Sequence, residues 1–242
     1  MKAVLTPNLP KEKISLAAVG NYPEIITALQ SLGIKTLSFE NDTLHPEVSG
    51  HQDMLLCHLG ENNIFLDPSQ DKRLLEDEGF KVRECAPLLG AYPHDVKLNV
   101  AVSEGFFICN EKTADPDLIK ALRDTGKRCI NTNQGYTKCS VCFVTKNAVI
   151  TEDESIFKAL EGTDVDTLLI SKGDVYLSDT HYGFFGGSSG KIAENILAVT
   201  GSLSTHRDGE RIKEFCLRHN VIIKELTQNK IIDVGGILPL KS

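Results

Sequence analysis

The side chains able to act as nucleophiles, bases or metal ligands gather in a few short stretches of this sequence. Cys139 and Cys142 stand three apart in the segment NQGYTKCSVC, residues 133–142. His51 and Asp53 form a His-x-Asp element, Asp179 and His181 an Asp-x-His element, and His94-Asp95 follows Pro93. Cys139 follows Lys138, whose ammonium favours a thiolate when the two groups are close. A cysteine with a histidine in hydrogen-bond reach is a nucleophile–base pair. His51 or His181 can supply that base, and Asp53 a carboxylate beside it.

The cysteine pair admits other chemistry. Zinc at such a pair calls for a second Cys or His pair at zinc spacing, and the sequence has none, so no metal is expected. A thioredoxin-like pair opens a helix whose dipole lowers the thiol pKa, whereas here an apolar strand follows. Reading 139–144 as that strand puts Cys139 on the face of Val141 and Phe143, and Cys142 on the face of Ser140 and Val144. The two thiols then cannot meet one ligand. What remains is a nucleophile at Cys139, or two small buried core residues. The stretch GFFGGSSGK, residues 183–191, misses the phosphate-loop pattern, because Phe185 and Ile192 occupy positions that need Gly and Ser or Thr. Its glycines and serines still let a backbone approach an anion.

The elements that carry these residues recur along the chain. Four segments, beginning near residues 54, 99, 140 and 195, share one order of signals, and a degenerate fifth opens the sequence. A short apolar strand runs into a turn rich in Gly, Asn or Lys-Asn, suited to tight hairpins. A second strand follows at 64–66, 106–109 and 148–150. Asp67, Asn110, Thr151 and Thr205 are the expected helix N-caps. Apolar residues then recur at helical spacing, as in Leu118, Ile119 and Leu122. Gly33, Gly79, Gly126 and Asn220 are the expected helix stops, and a third strand closes each unit at 34–39, 80–85, 165–170 and 221–226. The unit is ββαβ, with an insertion at about 173–191. One domain is expected over 1–242, divided at about 1–50, 51–95, 96–138, 139–190 and 191–242.

Equivalent positions of five repeats ring one axis. The segments leading into the first strands are polar in the later units, and they place His51, Asp53, His94, Asp95, Asn133, Lys138, Cys139, Ser188 and Ser189 at one mouth. With Asp179 and His181 from the insertion, that collection is a site candidate for a small polar molecule in an axial channel. Cys139, His51, Asp53 and His181 are expected to do the chemistry. His94, Asp95, Asn133, Lys138, Asp179, Ser188 and Ser189 are expected to hold the substrate.

Five ββαβ units over the whole chain resemble the pentein fold, a five-bladed, pseudo-symmetric α/β propeller. The resemblance implies the chemistry of that superfamily's guanidine-modifying enzymes: a cysteine that attacks a guanidinium carbon, a histidine acid and base, and carboxylates for the cationic nitrogens. His51-x-Asp53 resembles their His-x-Asp element, and IIDVGGILPL, residues 231–240, has the Gly-Gly of their last segment. The sequence departs there by having no cysteine; its last one is Cys216, in an apparent helix. The resemblance therefore leaves two functions: a hydrolase or transferase acting at a guanidinium or amide carbon through Cys139, or a non-catalytic ligand-binding or assembly module that keeps the fold.

Bulk properties bound the rest. Hydrophobic residues make up 41 % of the 242 and charged residues 24 %, an ordinary globular balance. The net charge of −7 without a basic block speaks against nucleic acid or an anionic membrane as the main partner. Seven cysteines, an odd number scattered through apolar segments, suit reduced thiols and a cytoplasmic protein. No cofactor motif is present.

Overall fold

Residues 2–242 are described by a computed structural model; Met1 lies outside them. The first unit contains β1 (Leu16–Ala18), α1 (Pro23–Ser31) and β2 (Lys35–Leu37). The second contains α2 (Gln52–Leu55), β3 (Leu56–Gly60), β4 (Asn63–Leu66), α3 (Arg73–Glu76) and β5 (Lys81–Glu84). The third runs β6 (Ala101–Val102), β7 (Phe106–Cys109), α4 (Pro116–Asp124) and β8 (Arg128–Asn131). The fourth runs β9 (Cys142–Thr145), β10 (Ala148–Thr151), α5 (Glu154–Leu160) and β11 (Asp166–Leu169). The fifth has β12 (Ser189–Ala193), β13 (Ile196–Val199), α6 (Gly209–Arg218) and β14 (Ile222–Glu225), and β15 (Leu238–Lys241) follows it.

These strands make five separate three-stranded sheets. In four of them an antiparallel hairpin supplies the inner two strands, and a helical crossover returns the third parallel to the second. The first sheet has the order β15-β1-β2, with β15 antiparallel to β1. Residues 238–241 thus supply the inner strand of the first unit, so the two ends of the chain meet in one blade, whereas boundaries drawn along the sequence put them in different repeats. The inner strand β12 contacts both β9 and β15. The fold is the α/β propeller.

Packing explains why the blades stay together. Each apolar cluster draws on more than one unit. One joins Met54 and Phe65 to Phe107 and Leu118, another Val144 and Ile150 to Leu197 and Phe215. A single blade is too thin to bury both its faces, so neighbours complete one another's cores. Helix stops fall at Gly33, Gly79, Gly126 and Asn220, all with positive φ (77°, 84°, 81° and 57°).

Two local expectations are corrected. The helix caps lie further along. Asp115 accepts from the backbone N–H of Asp117 and Leu118, and Asp153 from Ser155 and Ile156. Asp67 instead bonds Asn41 Nδ2 at 2.6 Å, because a loop separates strand from helix. Residues 139–141 also stand outside the fourth unit's first strand. Residues 137–140 form a helical turn closed by Ser140 N–H to Tyr136 O at 3.1 Å, and β9 starts at Cys142. Strand alternation therefore does not set where the Cys139 thiol points.

Candidate functional site

A short turn precedes the inner strand of every blade, and four of these turns together with an asparagine side chain close a ring of hydrogen bonds. Asp53 N–H donates to Gly235 O at 3.1 Å. Asn99 Nδ2 donates to Asp53 O at 3.1 Å, and its Oδ1 accepts from the N–H of Lys138 at 2.6 Å and of Cys139 at 3.2 Å. Gly187 N–H donates to Cys139 O at 2.7 Å, and Gly236 N–H to Gly187 O at 2.7 Å. The ring needs glycine where the turns touch. A Cβ on Gly187 would lie 2.1 Å from Asp233 Oδ1, and one on Gly235, at φ 72°, 2.3 Å from His51 Cα.

On this ring sit His51, Asp53, Cys139 and Asp233, each at most 3 % exposed. His51, Asp53 and Cys139 each offer a ligand atom, and those atoms all lie within 4.8 Å of one another. Asn99 Nδ2 also lies 3.1 Å from Cys139 Sγ, and His51 Nδ1 lies 3.7 Å from Asp233 Oδ1. Both ring nitrogens of His51 and both carboxylate oxygens of Asp53 have no hydrogen-bond partner among the described residues. Buried polar atoms are nearly always paired, so a cluster of orphans marks a place built to receive something.

Of these groups, Asp53 is buried beside His51 and Cys139, and His51, Cys139 and Asp233 form the floor of a cavity of about 590 Å³. Asp95 lines it, with Oδ2 accepting from Tyr136 Oη at 2.9 Å and Oδ1 unpaired. Glu47 and His181 stand at its rim, with His181 Nδ1 3.0 Å from Glu47. Beneath the insertion, Glu152 Oε1 accepts from Phe185 N–H at 2.9 Å, while Oε2 is unpaired.

The electrostatics follow from carboxylates crowded out of water. Burial raises Asp53 above the usual carboxylate range, against the pull of Lys138 and His51, and Asp233 adds to the rise. Burial pushes Glu152 up to about 8. Burial, then the Asp53 and Asp233 charges, hold the Cys139 thiol well above its ordinary value. The expectation that Lys138 favours a thiolate is corrected. Its ammonium turns to Gly186 O at 3.3 Å, and the carboxylates dominate at the sulfur.

Of the candidates read from the sequence, the fold gathers His51, Asp53 and Cys139, and brings Asp95 to the wall. His181 reaches the cavity only at the exposed rim. The others lie elsewhere. His94 is exposed in the turn after Pro93. Asn133 is exposed, its carbonyl accepting from Asn110 at 3.1 Å. Asp179 is exposed and accepts from Tyr176 Oη at 3.2 Å. The Ser188 and Ser189 hydroxyls donate to Phe185 O at 2.9 and 2.8 Å, holding the 185–188 turn in place of a ligand. Sequence reasoning missed Asn99, Asp233 and Glu152. Asp233 had a signal, two residues before a Gly-Gly; Asn99 lay two residues past the polar segment singled out in its unit.

The floor suits a nucleophile–base pair among carboxylates that accept cationic nitrogens. Its three ligand atoms also suit a metal ion, contrary to the metal-free expectation, because the ligands come from different turns. The sequence profile of a family of unknown function, DUF6873, matches residues 18–238. The chain belongs to that family. No curated protein matches this DUF6873 chain by sequence. Its structure is similar to a C. jejuni agmatine deiminase variant with substrate bound, at a TM-score of 0.59 and 11 % identity, covering 100 % of this chain and 96 % of that one. It is similar to DDAH from Pseudomonas aeruginosa in complex with citrulline, at 0.55 and 9 %, covering 88 % and 92 %. It is also similar to SxtG, an amidinotransferase from Microseira wollei, at 0.51 and 11 %, covering 89 % of each. All three are pentein-superfamily members. The DUF6873 chain therefore has the pentein fold, and its chemistry rests on its own residues.

Proposed function

We propose that the protein is a hydrolase or transferase acting at a guanidinium or amide carbon, with Cys139 as nucleophile and His51 as acid and base. The observation that carries this reading is the buried group His51, Asp53 and Cys139, with ligand atoms within 4.8 Å of one another, of which His51 and Cys139 line a cavity. The fold neighbours supply the kind of reaction, since guanidine-modifying enzymes are built on the same propeller.

For a guanidinium the step runs as follows. A cation entering between Asp53 and Asp233 offsets the two charges that hold the thiol protonated. The Cys139 proton passes to His51, and Sγ bonds to the guanidinium carbon. The leaving amine departs with the proton from His51. Water, or an acceptor amine, then attacks the S-amidino carbon while His51 takes its proton, and the carbon–sulfur bond breaks to return the thiolate. The raised thiol pKa is thus a switch: the nucleophile forms when substrate arrives.

The same raised pKa favours the second reading, a module that binds a cation and forms no covalent bond. Two alkylating probes separate them. 2-Chloroacetamidine is cationic and 2-chloroacetamide is its neutral counterpart. Native protein treated with each at neutral pH, followed by peptide mass mapping, is expected to carry the amidine adduct at Cys139 ahead of the other six cysteines, with little amide adduct. His51→Ala is expected to slow the adduct. A Cys139 that labels with the amidine only after denaturation removes the catalytic reading and leaves the binding module.

A further inference from the structure

The wall above the floor carries an aromatic series that the chemistry at Cys139 does not use. Tyr92 stacks on Tyr136 with ring centroids 6.0 Å apart and planes 28° apart. Tyr136 stacks on Phe184 at 6.3 Å and 25°, and Tyr182 meets Phe184 edge-on at 6.4 Å. All four rings line the cavity. Tyr92 and Tyr182 are 52 % and 48 % exposed, so part of this aromatic surface is open to solvent.

The charges on the same cavity have one sign. Asp95 and Asp233 line it and Glu47 stands at its rim, while no Lys or Arg among the described residues lines it. Three histidines do, but each already faces a carboxylate. His51 lies 3.7 Å from Asp233, and His45 and His181 lie 3.7 and 3.0 Å from Glu47. Among the described residues the wall has no permanent cation to pair with an anionic group of a ligand. A carboxylate or phosphate bound here would face like charge in a partly dry site.

We infer that the ligand is a guanidine or amidine whose arm is apolar, aryl or alkyl, and carries no anionic group. The cationic head sits on the Asp53–Asp233 floor, and the arm lies along Tyr136, Phe184 and Tyr182. Aromatic faces attract both apolar surface and the edge of a delocalised cation. An amino-acid-like guanidine would bring a free carboxylate to a wall with three acidic residues and, among the described residues, no Lys or Arg. This names a substrate class for the cysteine reading, on which it rests only for what happens at the floor.

The test is calorimetric binding to the full chain of three compounds: benzylguanidine, methylguanidine and 4-(guanidinomethyl)benzoate. Wild type and Cys139→Ser are both titrated, so that turnover cannot distort the affinity. Benzylguanidine is expected to bind about tenfold more tightly than methylguanidine, through ring contacts, and at least about tenfold more tightly than the benzoate, through charge. Tyr182→Ala and Phe184→Ala are expected to bring the benzyl-to-methyl ratio close to one. Far-ultraviolet circular dichroism spectra unchanged from wild type in both variants establish that they fold. Equal or tighter binding of the benzoate overturns the inference, as does no binding of benzylguanidine, or a benzyl preference that survives both ring removals. The two proposals fail separately. Ratios that hold with an unlabelled Cys139 leave the substrate class standing without the cysteine chemistry, and a labelled Cys139 with reversed ratios leaves the reverse.

Discussion

The two ends of the propeller axis treat buried polar groups in opposite ways. Where the inner strands begin, His51, Asp53, Asp95 and Glu152 keep unpaired nitrogens and oxygens. Where they finish, His58 Nδ1 and Ser103 Oγ are also unpaired, but other buried groups there are matched. His58 Nε2 lies 2.8 Å from Glu61 O, and burial lowers its pKa to about 4, so the ring is neutral and donates to that carbonyl. Lys191 Nζ donates to Val144 O at 3.0 Å and to Glu194 O at 2.5 Å. Of the cavities on that side, one lined by Cys57, His58 and Lys138 is about 20 Å³, room for little more than a water, and one lined by Val144, Lys191 and Glu194 is about 140 Å³. One pseudo-symmetric scaffold thus gathers most of its unpaired buried side-chain atoms at one end. A site that is stable when empty would have little to gain from a cation; these carboxylates do have something to gain.

The contrast can be broken from the cavity end. Asp53→Asn keeps the size of the side chain and removes a desolvated charge. Amidine labelling of Cys139 is expected to fall about a hundredfold, since a charge aimed at the reacting group is worth that much in rate. The melting temperature is expected to rise at neutral pH in the same variant. A variant that labels at the wild-type rate would take Asp53 out of the site.

Glu152 tests the same end through pH. Burial holds its pKa in the folded protein at about 8, against 4.5 for an ordinary glutamate. A raised carboxyl pKa stabilises the fold fully below the unfolded value, and that contribution is lost as pH rises through the folded value. Wild type is therefore expected to lose stability between about pH 4.5 and 8. Glu152→Gln keeps the bond from Phe185 N–H and should flatten this slope, with a gain on the order of a few kcal/mol at pH 8. Denaturant midpoints across that range measure it. Parallel curves for the two proteins would show that Glu152 ionises freely.

The smallest effect belongs to the far end. Lys191→Met leaves the carbonyls of Val144 and Glu194 without their donor and should cost about 1.5 kcal/mol. Amidine labelling of Cys139 should not change. Labelling that falls along with stability would mean that the two ends are coupled, and the comparison would lose its meaning.

Much of the propeller is legible in local signals. The second strands at 64–66, 106–109 and 148–150, the third strands, and the stops at Gly33, Gly79, Gly126 and Asn220 all rest on near-neighbour physics: hairpin turns, apolar alternation and left-handed caps. His51-x-Asp53 and Cys139 share one floor because repeat equivalence carries across the axis without coordinates. Residues 139–141 were misplaced because a helical turn and the start of an apolar strand have similar composition over so few residues. Ser188 and Ser189 were misread for a related reason. Small polar residues in a glycine-rich turn serve the backbone as readily as a ligand, and only the partner, here Phe185 O, tells which.

By itself the sequence determined the blade, its fivefold repetition, and which segments approach the axis, because hydrogen bonding and hydrophobic periodicity act over a few residues. Tertiary structure alone decided that β15 completes the first blade, that Asn99 ties Asp53 to Cys139, and that Lys138 turns away from the thiol its charge was expected to activate. It also decided that Asp233 comes within 3.7 Å of His51. Each of these is a contact between residues distant along the chain. Such contacts depend on the packing of whole blades, and no local pattern records the direction in which a buried side chain finds its partner.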